Sequence, residues 1–287
     1  MRVVSLLPSA TEMVAALGGL EHLVGVTHAC DHPLVVASRA RVTSVTPGGR
    51  PPFFALDEDR IRALRPDLLL TQALCEVCAV METDVRALAE RLDPKPRIET
   101  LSATTLDGVL EDLKRVGAAL GLADEAEEFI VGARARLRTV HERLKGAKAP
   151  RPRVAVIEWG DPLYAAGHWV PEMVHRAGGV DALAPTGTHS AIVTHQAVRA
   201  ADPEVILIAP CGYDLARATS EGRRLLASPE WEWARTRRVF ALDGNALVSR
   251  PGPRLIDGVE AFARCFNPSL FSPLDPTFAL GLTPAVR

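Results

Sequence analysis

Between Asp124 and Lys145, apolar residues recur at Ala126, Ile130, Ala133, Leu137, Val140 and Leu144, in alternating steps of four and three. That spacing lays them on one stripe of an α-helix. Asp124, Glu125, Glu127 and Glu128 crowd its first turns, and Arg134, Arg136, Arg138, Arg143 and Lys145 fill the later ones. This polarity complements a helix macrodipole. Gly146 reads as the stop, and Pro150 and Pro152 prevent continuation. At 1.5 Å per residue the helix reaches roughly 30–35 Å, the width of a small domain.

On both sides of it short apolar runs alternate with helical periodicity. Before it, strands are predicted at Val3–Leu7, Leu23–Thr27, Leu68–Gln72 and Ile98–Leu101. Helices are predicted from Ser9 to Leu17, up to Leu64, over Met81–Leu92 and over Leu106–Leu120. Ser9 and Glu12 have the spacing of a capping box, and residues 44–53, rich in Gly and Pro, read as an exposed connection. After the long helix, strands are predicted at Arg153–Trp159, Val205–Ala209 and Val239–Leu242. Helices are predicted at Trp169–Ala177, up to Ala201, within Arg223–Leu226 and Glu230–Arg235, and over Leu255–Arg264. Gly160–Gly167 reads as a loop and everything from Asn267 as an irregular tail. The fold class is therefore α/β: two Rossmann-like lobes with parallel sheets, residues 1–123 and 147–287, joined by one long helix over 124–146.

A length of 287 residues agrees with two domains, and 47% hydrophobic with 24% charged residues is ordinary for a globular chain. A net charge of −2 gives no footprint for nucleic acid. No apolar run reaches transmembrane length. The first strand follows Met1-Arg2 at once, without the three-part pattern of a secretory leader. That predicts a cytoplasmic chain, or a periplasmic or extracellular one if this is a trimmed mature form. Five cysteines in a chain this long do not form an extracellular disulfide framework.

In open α/β sheets ligands sit beyond the carboxyl ends of the strands. Four cysteines, Cys30, Cys75, Cys78 and Cys211, fall on such loops. Cys75 and Cys78 have a spacing that lets two thiolates share a metal or form a redox pair, with His28 as a further donor. Zinc or an iron–sulfur cluster is the corresponding cofactor; buried structural thiols are the alternative. Trp159, Tyr164 and Trp169 crowd one loop, suiting a broad, partly apolar ligand, with Asp161 and His168 as polar contacts. His168 could also ligate a metal through a neutral imidazole. Arg250, in Arg-Pro-Gly-Pro-Arg, could meet an anionic or amide-rich ligand edge. The ligand-contact candidates are Pro8, Ser9, His28, Gln72, Trp159, Tyr164, His168, Trp169, Asn245 and Arg250. The phosphate loop, the nucleotide-binding glycine motif, the GxSxG elbow and HExxH are all missing.

Val3-Val4-Ser5-Leu6-Leu7-Pro8-Ser9-Ala10-Thr11-Glu12, Leu23-Val24-Gly25-Val26, Pro66-Asp67-Leu68-Leu69-Leu70, Gly167-His168-Trp169-Val170-Pro171-Glu172-Met173, Gly178-Gly179 and Ala201-Asp202-Pro203-Glu204-Val205-Ile206 resemble the class III substrate-binding proteins. These are the siderophore, haem and cobalamin receptors of ABC importers, and the chain looks most similar to the cobalamin-binding ones. The resemblance covers residues 1–266. It implies two α/β lobes joined by a backbone helix, cobalamin or a related corrinoid held between them, no catalysis, and an ABC permease as partner. It also implies one docking acid on each lobe. Glu82 fits the first; Gln196 stands where the second is expected. Another metal complex, siderophore or haem, is the second reading. A metal- or cluster-bearing redox or sensor protein using the loop cysteines is the third.

Overall fold

Val3, Val4 and Ser5 are fully buried, as a strand covered on both faces requires, and they form the centre of the first sheet. The computed structural model describes residues 1–46, 54–73 and 80–283. It divides into two units, Met1–Ala103 with Asp107–Gly132, and Thr104–Leu106 with Ala133–Arg287. Thr104–Leu106 falls with the second unit, where the sequence pattern places it in the first.

The first unit begins β1 (Val3–Ser5), α1 (Pro8–Ala16), β2 (Leu23–Val26), β3 (Ala40–Arg41), β4 (Thr43–Val45) and β5 (Phe54–Leu56). It continues with α2 (Glu58–Leu64), β6 (Leu68–Gln72), α3 (Glu82–Ala89) and β7 (Arg97–Leu101), followed by α4 (Leu106–Leu120) and α5 (Ala123–Gly146). Its main sheet is parallel throughout, in the order β3-β2-β1-β6-β7. All five residues of β6 are buried, matching its uninterrupted apolar run. Val4, Leu6, Ile61, Leu69, Val85 and Leu88 lie in its core. Residues 44–53 are not a simple exposed connection: β4 and β5 pair as an antiparallel ribbon, and residues 47–53 lie outside the described set.

The capping box at Ser9 does not form. Pro8, whose ring presets a helical φ and whose missing N–H costs nothing there, opens α1, and extended Leu7 takes the cap position. Ser9 is thereby carried inside the helix and buried. Gly18, at φ 75°, ends it: the N–H groups of Gly18 and Gly19 bond the carbonyls of Ala15 and Val14.

In α5 every residue of the predicted stripe is buried. Burying a Leu or Ile side chain contributes about 2 kcal/mol, so packing dominates over local propensity here. The stop differs from expectation. Gly146 is the last helical residue, and the left-handed position belongs to Lys148 at φ 48°, with Ala149 N–H on the Leu144 carbonyl at 2.9 Å. The unit boundary falls within α5.

The second unit contains β8 (Arg153–Gly160), β9 (Leu163–Ala165), α6 (Val170–Arg176), β10 (Val180–Asp181), β11 (Ala191–Ile192) and α7 (His195–Ala200). There follow β12 (Val205–Ile208), α8 (Leu215–Ala227), β13 (Arg238–Leu242), α9 (Gly244–Leu247), α10 (Leu255–Phe266) and β14 (Ala279–Gly281). The expected parallel sheet forms the centre here, with antiparallel strands added to it. β10, β8, β12 and β13 are parallel, but β9, β11 and β14 pair antiparallel. The predicted loop Gly160–Gly167 is half of a β8–β9 hairpin. The predicted irregular tail holds β14, which covers the edge of β13. Both strands are only three residues long, β9 between β8 and β11 and β14 at the sheet's edge, so neither carries the long apolar run that marks a central strand.

Candidate functional site

In the first unit the sheet reverses its growth between β1 and β6: β2 and β3 lie to one side of β1, and β6 and β7 to the other. A crevice opens outside the carboxyl ends at such a switch point. Three ligand candidates stand there. Pro8 and Ser9 start α1 directly after β1, and Gln72 is the last residue of β6, mostly buried. His28 leaves the neighbouring β2. Its backbone N–H and its Nδ1 both meet the Thr43 hydroxyl, at 3.1 and 2.8 Å, and its ring lies 4.9 Å from that of Phe54. Burial, with a smaller contribution from Arg41, holds its pKa below the ordinary histidine value. The imidazole is therefore neutral at pH 7.

Cys30 belongs to a packed hydroxyl network. The Thr11 and Thr27 hydroxyls each lie 3.1 Å from its Sγ, and Thr11 also donates to Ser5 Oγ at 2.8 Å. Arg41 donates to the carbonyls of Thr27 and Cys30 at 2.8 and 2.7 Å, fixing the turn that presents His28. Cys211 lies in the second unit, its N–H on the Glu158 carbonyl. Cys75 and Cys78 lie outside the described residues. Among the described residues no group of three or more His, Cys, Asp or Glu is arranged to hold a metal, so the predicted cysteine cluster has no support. Cys265 is buried in α10, and burial pushes its thiol pKa up, out of reach of thiolate chemistry.

The second sheet switches between β8 and β12. Cys211 N–H bonding to Glu158 and Ala209 N–H bonding to Ile157 hold the two strand exits together. Trp159 is the last residue but one of β8, 37% exposed, its indole N–H on the Asp161 carbonyl at 3.0 Å. Tyr213, from the loop after β12, meets it edge-on with centroids 5.3 Å apart. Arg217, one turn into α8, lays its guanidinium 3.9 Å over the Tyr213 ring. Asp214 caps α8 by accepting the Arg217 N–H at 2.8 Å, which fixes the turn between the two side chains. The Arg217 guanidinium forms no ion pair among the described residues. Sequence reasoning missed both Tyr213 and Arg217. The readable signal was an aromatic just before an Asp cap, with an arginine four residues on.

Tyr164 lies opposite Trp159 in the β8–β9 ladder. Asn245 donates its N–H to the Tyr213 carbonyl at 3.0 Å, joining the loop after β13 to the same platform. Gly244 makes that approach possible, since a Cβ there would stand 2.3 Å from the Pro210 carbonyl oxygen. Asp243 caps α9, and burial raises its pKa while Arg254 and Arg250 oppose the rise.

Trp169 and His168 do not line the platform's loop as the sequence grouping predicts. Trp169 is built into the core, its indole N–H on the Val248 carbonyl at 2.7 Å. His168 instead faces His189. In the first unit Glu82 opens α3 and is bonded within the chain, to Arg86 and to the Thr100 hydroxyl, and these hydrogen bonds lower its pKa. Gln196 is exposed on α7.

Residues 3–246 match the family described as periplasmic binding protein. An uncharacterised ABC transporter substrate-binding lipoprotein of Bacillus subtilis is 26% identical over 94% of this chain and 81% of its own length. A cobalamin-binding protein of Halobacterium salinarum is 26% identical over 93% of this chain and 69% of its own. The crystal structure of a periplasmic heme-binding protein from Pseudomonas aeruginosa superposes with a TM-score of 0.78 at 29% identity, covering 98% of this chain and 97% of that one. A lipoprotein and a periplasmic protein lend no support to the cytoplasmic prediction. None of the described helices is long and apolar enough to cross a membrane.

Proposed function

The chain belongs to the periplasmic binding protein family, a family of non-enzymatic solute receptors, and from that premise we propose that it binds cobalamin or a related corrinoid for an ABC importer. The observation that carries this reading is the Trp159–Tyr213 pair with Arg217 stacked on it, at the switch point of the second sheet. Flat apolar faces favour a macrocycle, and a cation beside them favours a phosphate or carboxylate on its periphery. Pro8, Ser9, His28 and Gln72 are the contacts proposed for the first unit, and Tyr164, Asn245 and Arg250 further ones for the second. Glu82 is proposed as a contact to the permease, with the protein acting outside the cytoplasmic membrane.

Haem is the second reading. It is favoured by the Arg217 guanidinium, which stacks on Tyr213, has no ion pair among the described residues and suits a carboxylate, and by the likeness to the heme-binding protein above. Titrating the full chain with cyanocobalamin and, separately, with haemin tests both. Quenching of tryptophan fluorescence and a shifted corrin band, saturating at micromolar ligand or below, are the expected result. Absence of any change with cyanocobalamin at tens of micromolar overturns the corrinoid reading, and saturation by haemin alone replaces it.

A further inference from the structure

His168 is one of four non-glycine residues at positive φ among the described residues, at 54°. A side chain in the left-handed region costs about 1 kcal/mol or more, and such strain persists where the surroundings over-determine it. Here they do. His168 N–H bonds the Thr188 carbonyl at 2.5 Å, Gly187 N–H bonds the His168 carbonyl at 3.0 Å, and Gly167 N–H bonds the Ser190 hydroxyl at 3.1 Å. The backbones of 167–168 and 187–190 are thus laced together, so closely that a Cβ on Gly167 would stand 2.5 Å from the His189 carbonyl carbon. This lacing brings His168 Nε2 to 3.1 Å from His189 Nδ1, with the rings perpendicular at 89°. Neither Trp159 nor the platform residues take part.

We propose that His168 and His189 form a chelating site for an imidazole-preferring divalent cation, of the copper(II), nickel(II) and zinc(II) class. Nitrogens bound to one ion at about 2.0–2.1 Å, at an angle of about 100°, are separated by roughly the distance seen here. A small ring rotation turns both lone pairs to a common point. Two protein nitrogens leave the remaining positions to water, and exposed His189 leaves the ion an open approach. Burial and the neighbouring His189 lower the His168 pKa, which keeps its ring in the neutral, ligating form at pH 7. Where the two nitrogens share a hydrogen bond, one of them carries the hydrogen. The cation replaces that hydrogen, which moves to the other nitrogen of the same ring. Imidazole donors favour these ions over magnesium or calcium, which demand oxygen. The site is independent of the macrocycle reading.

The test titrates the full chain calorimetrically with zinc chloride and nickel chloride at pH 7.5, with magnesium chloride as control. One transition-metal ion per chain is expected, with binding weakened at least tenfold in His189→Gln and in His168→Asn, the latter because Asn tolerates the left-handed backbone. Nitrogen NMR of the imidazoles in the unaltered chain provides a readout that does not depend on variant folding. Zinc is expected to shift His168 Nε2 and His189 Nδ1 and to leave the other histidines in place. Absence of binding, unchanged affinity in both variants, or shifts confined to other histidines overturns the proposal.

Discussion

The two strand-exit regions are built from different chemistry. In the first unit β1, α1 and the turn after β2 are tied by buried hydroxyls and a thiol, Ser5, Thr11, Thr27 and Cys30, each bonded to another. In the second, the corresponding place holds Trp159, Tyr213 and Arg217, half in water, arranged by ring contacts and one helix cap. Small polar groups buried in a closed network set backbone position. Large flat groups with one exposed face offer area to something outside the chain. The same α/β architecture therefore has one exit whose shape is rigidly set and one whose surface is available.

The strongest way to separate the two units is pH. Burial raises the Asp181 pKa from 3.8 to about 6, although the Leu183 and Ala184 N–H groups oppose the rise; Asp181 ends β10 at the edge of the second parallel core. The folded chain thus holds this proton more tightly than the unfolded chain. Its contribution to stability is greatest below pH 3.8 and is lost as pH rises through about 6. The full difference is about 3 kcal/mol at the outside. Asp181→Asn is expected to flatten stability between pH 4 and 7 in urea titrations. An unchanged slope would show that the second unit carries no such penalty.

Paired substitutions give the next effect. Trp159→Ala is expected to weaken ligand binding by about 30-fold, about 2 kcal/mol, with stability changed by less than about 1 kcal/mol because the ring is partly exposed. Thr11→Val should do the reverse, lowering stability by about 1 kcal/mol and leaving affinity within about threefold. If Thr11→Val damaged binding as much as Trp159→Ala, the division into a positioning exit and a contacting exit would fall. Smallest is Arg217→Ala, expected to cost about fivefold in affinity for a carboxylate- or phosphate-bearing ligand. That loss should shrink as salt rises from 0.05 to about 0.5 M.

Much of this was readable in the chain. β6, α4 and the α5 stripe were legible because a central strand or a packed helix face must be apolar at a fixed period. The switch-point positions of Pro8, Ser9 and Gln72 followed from the strand boundaries. The wrong predictions have separate physical causes. β9 is a three-residue strand held between β8 and β11, and β14 is an edge strand; both are stabilised by a partner's backbone, which imposes no pattern on side chains. The Ser9 capping box matched in spacing, yet Pro8 at the preceding position already had the φ that starts a helix. Trp159, Tyr164 and Trp169 were grouped because they are neighbours in sequence, but Trp169 turns inward to Val248.

By itself, then, the sequence determined the alternation of strands and helices, the long helix and the loops on which ligand chemistry must lie, since burial periodicity and turn residues are local properties. The tertiary structure alone decided which side chains meet. Tyr213 reaches Trp159 because β12 runs parallel beside β8, and His189 reaches His168 because two loops share backbone hydrogen bonds. A contact between residues distant in the chain depends on sheet order and register, and no local pattern encodes either.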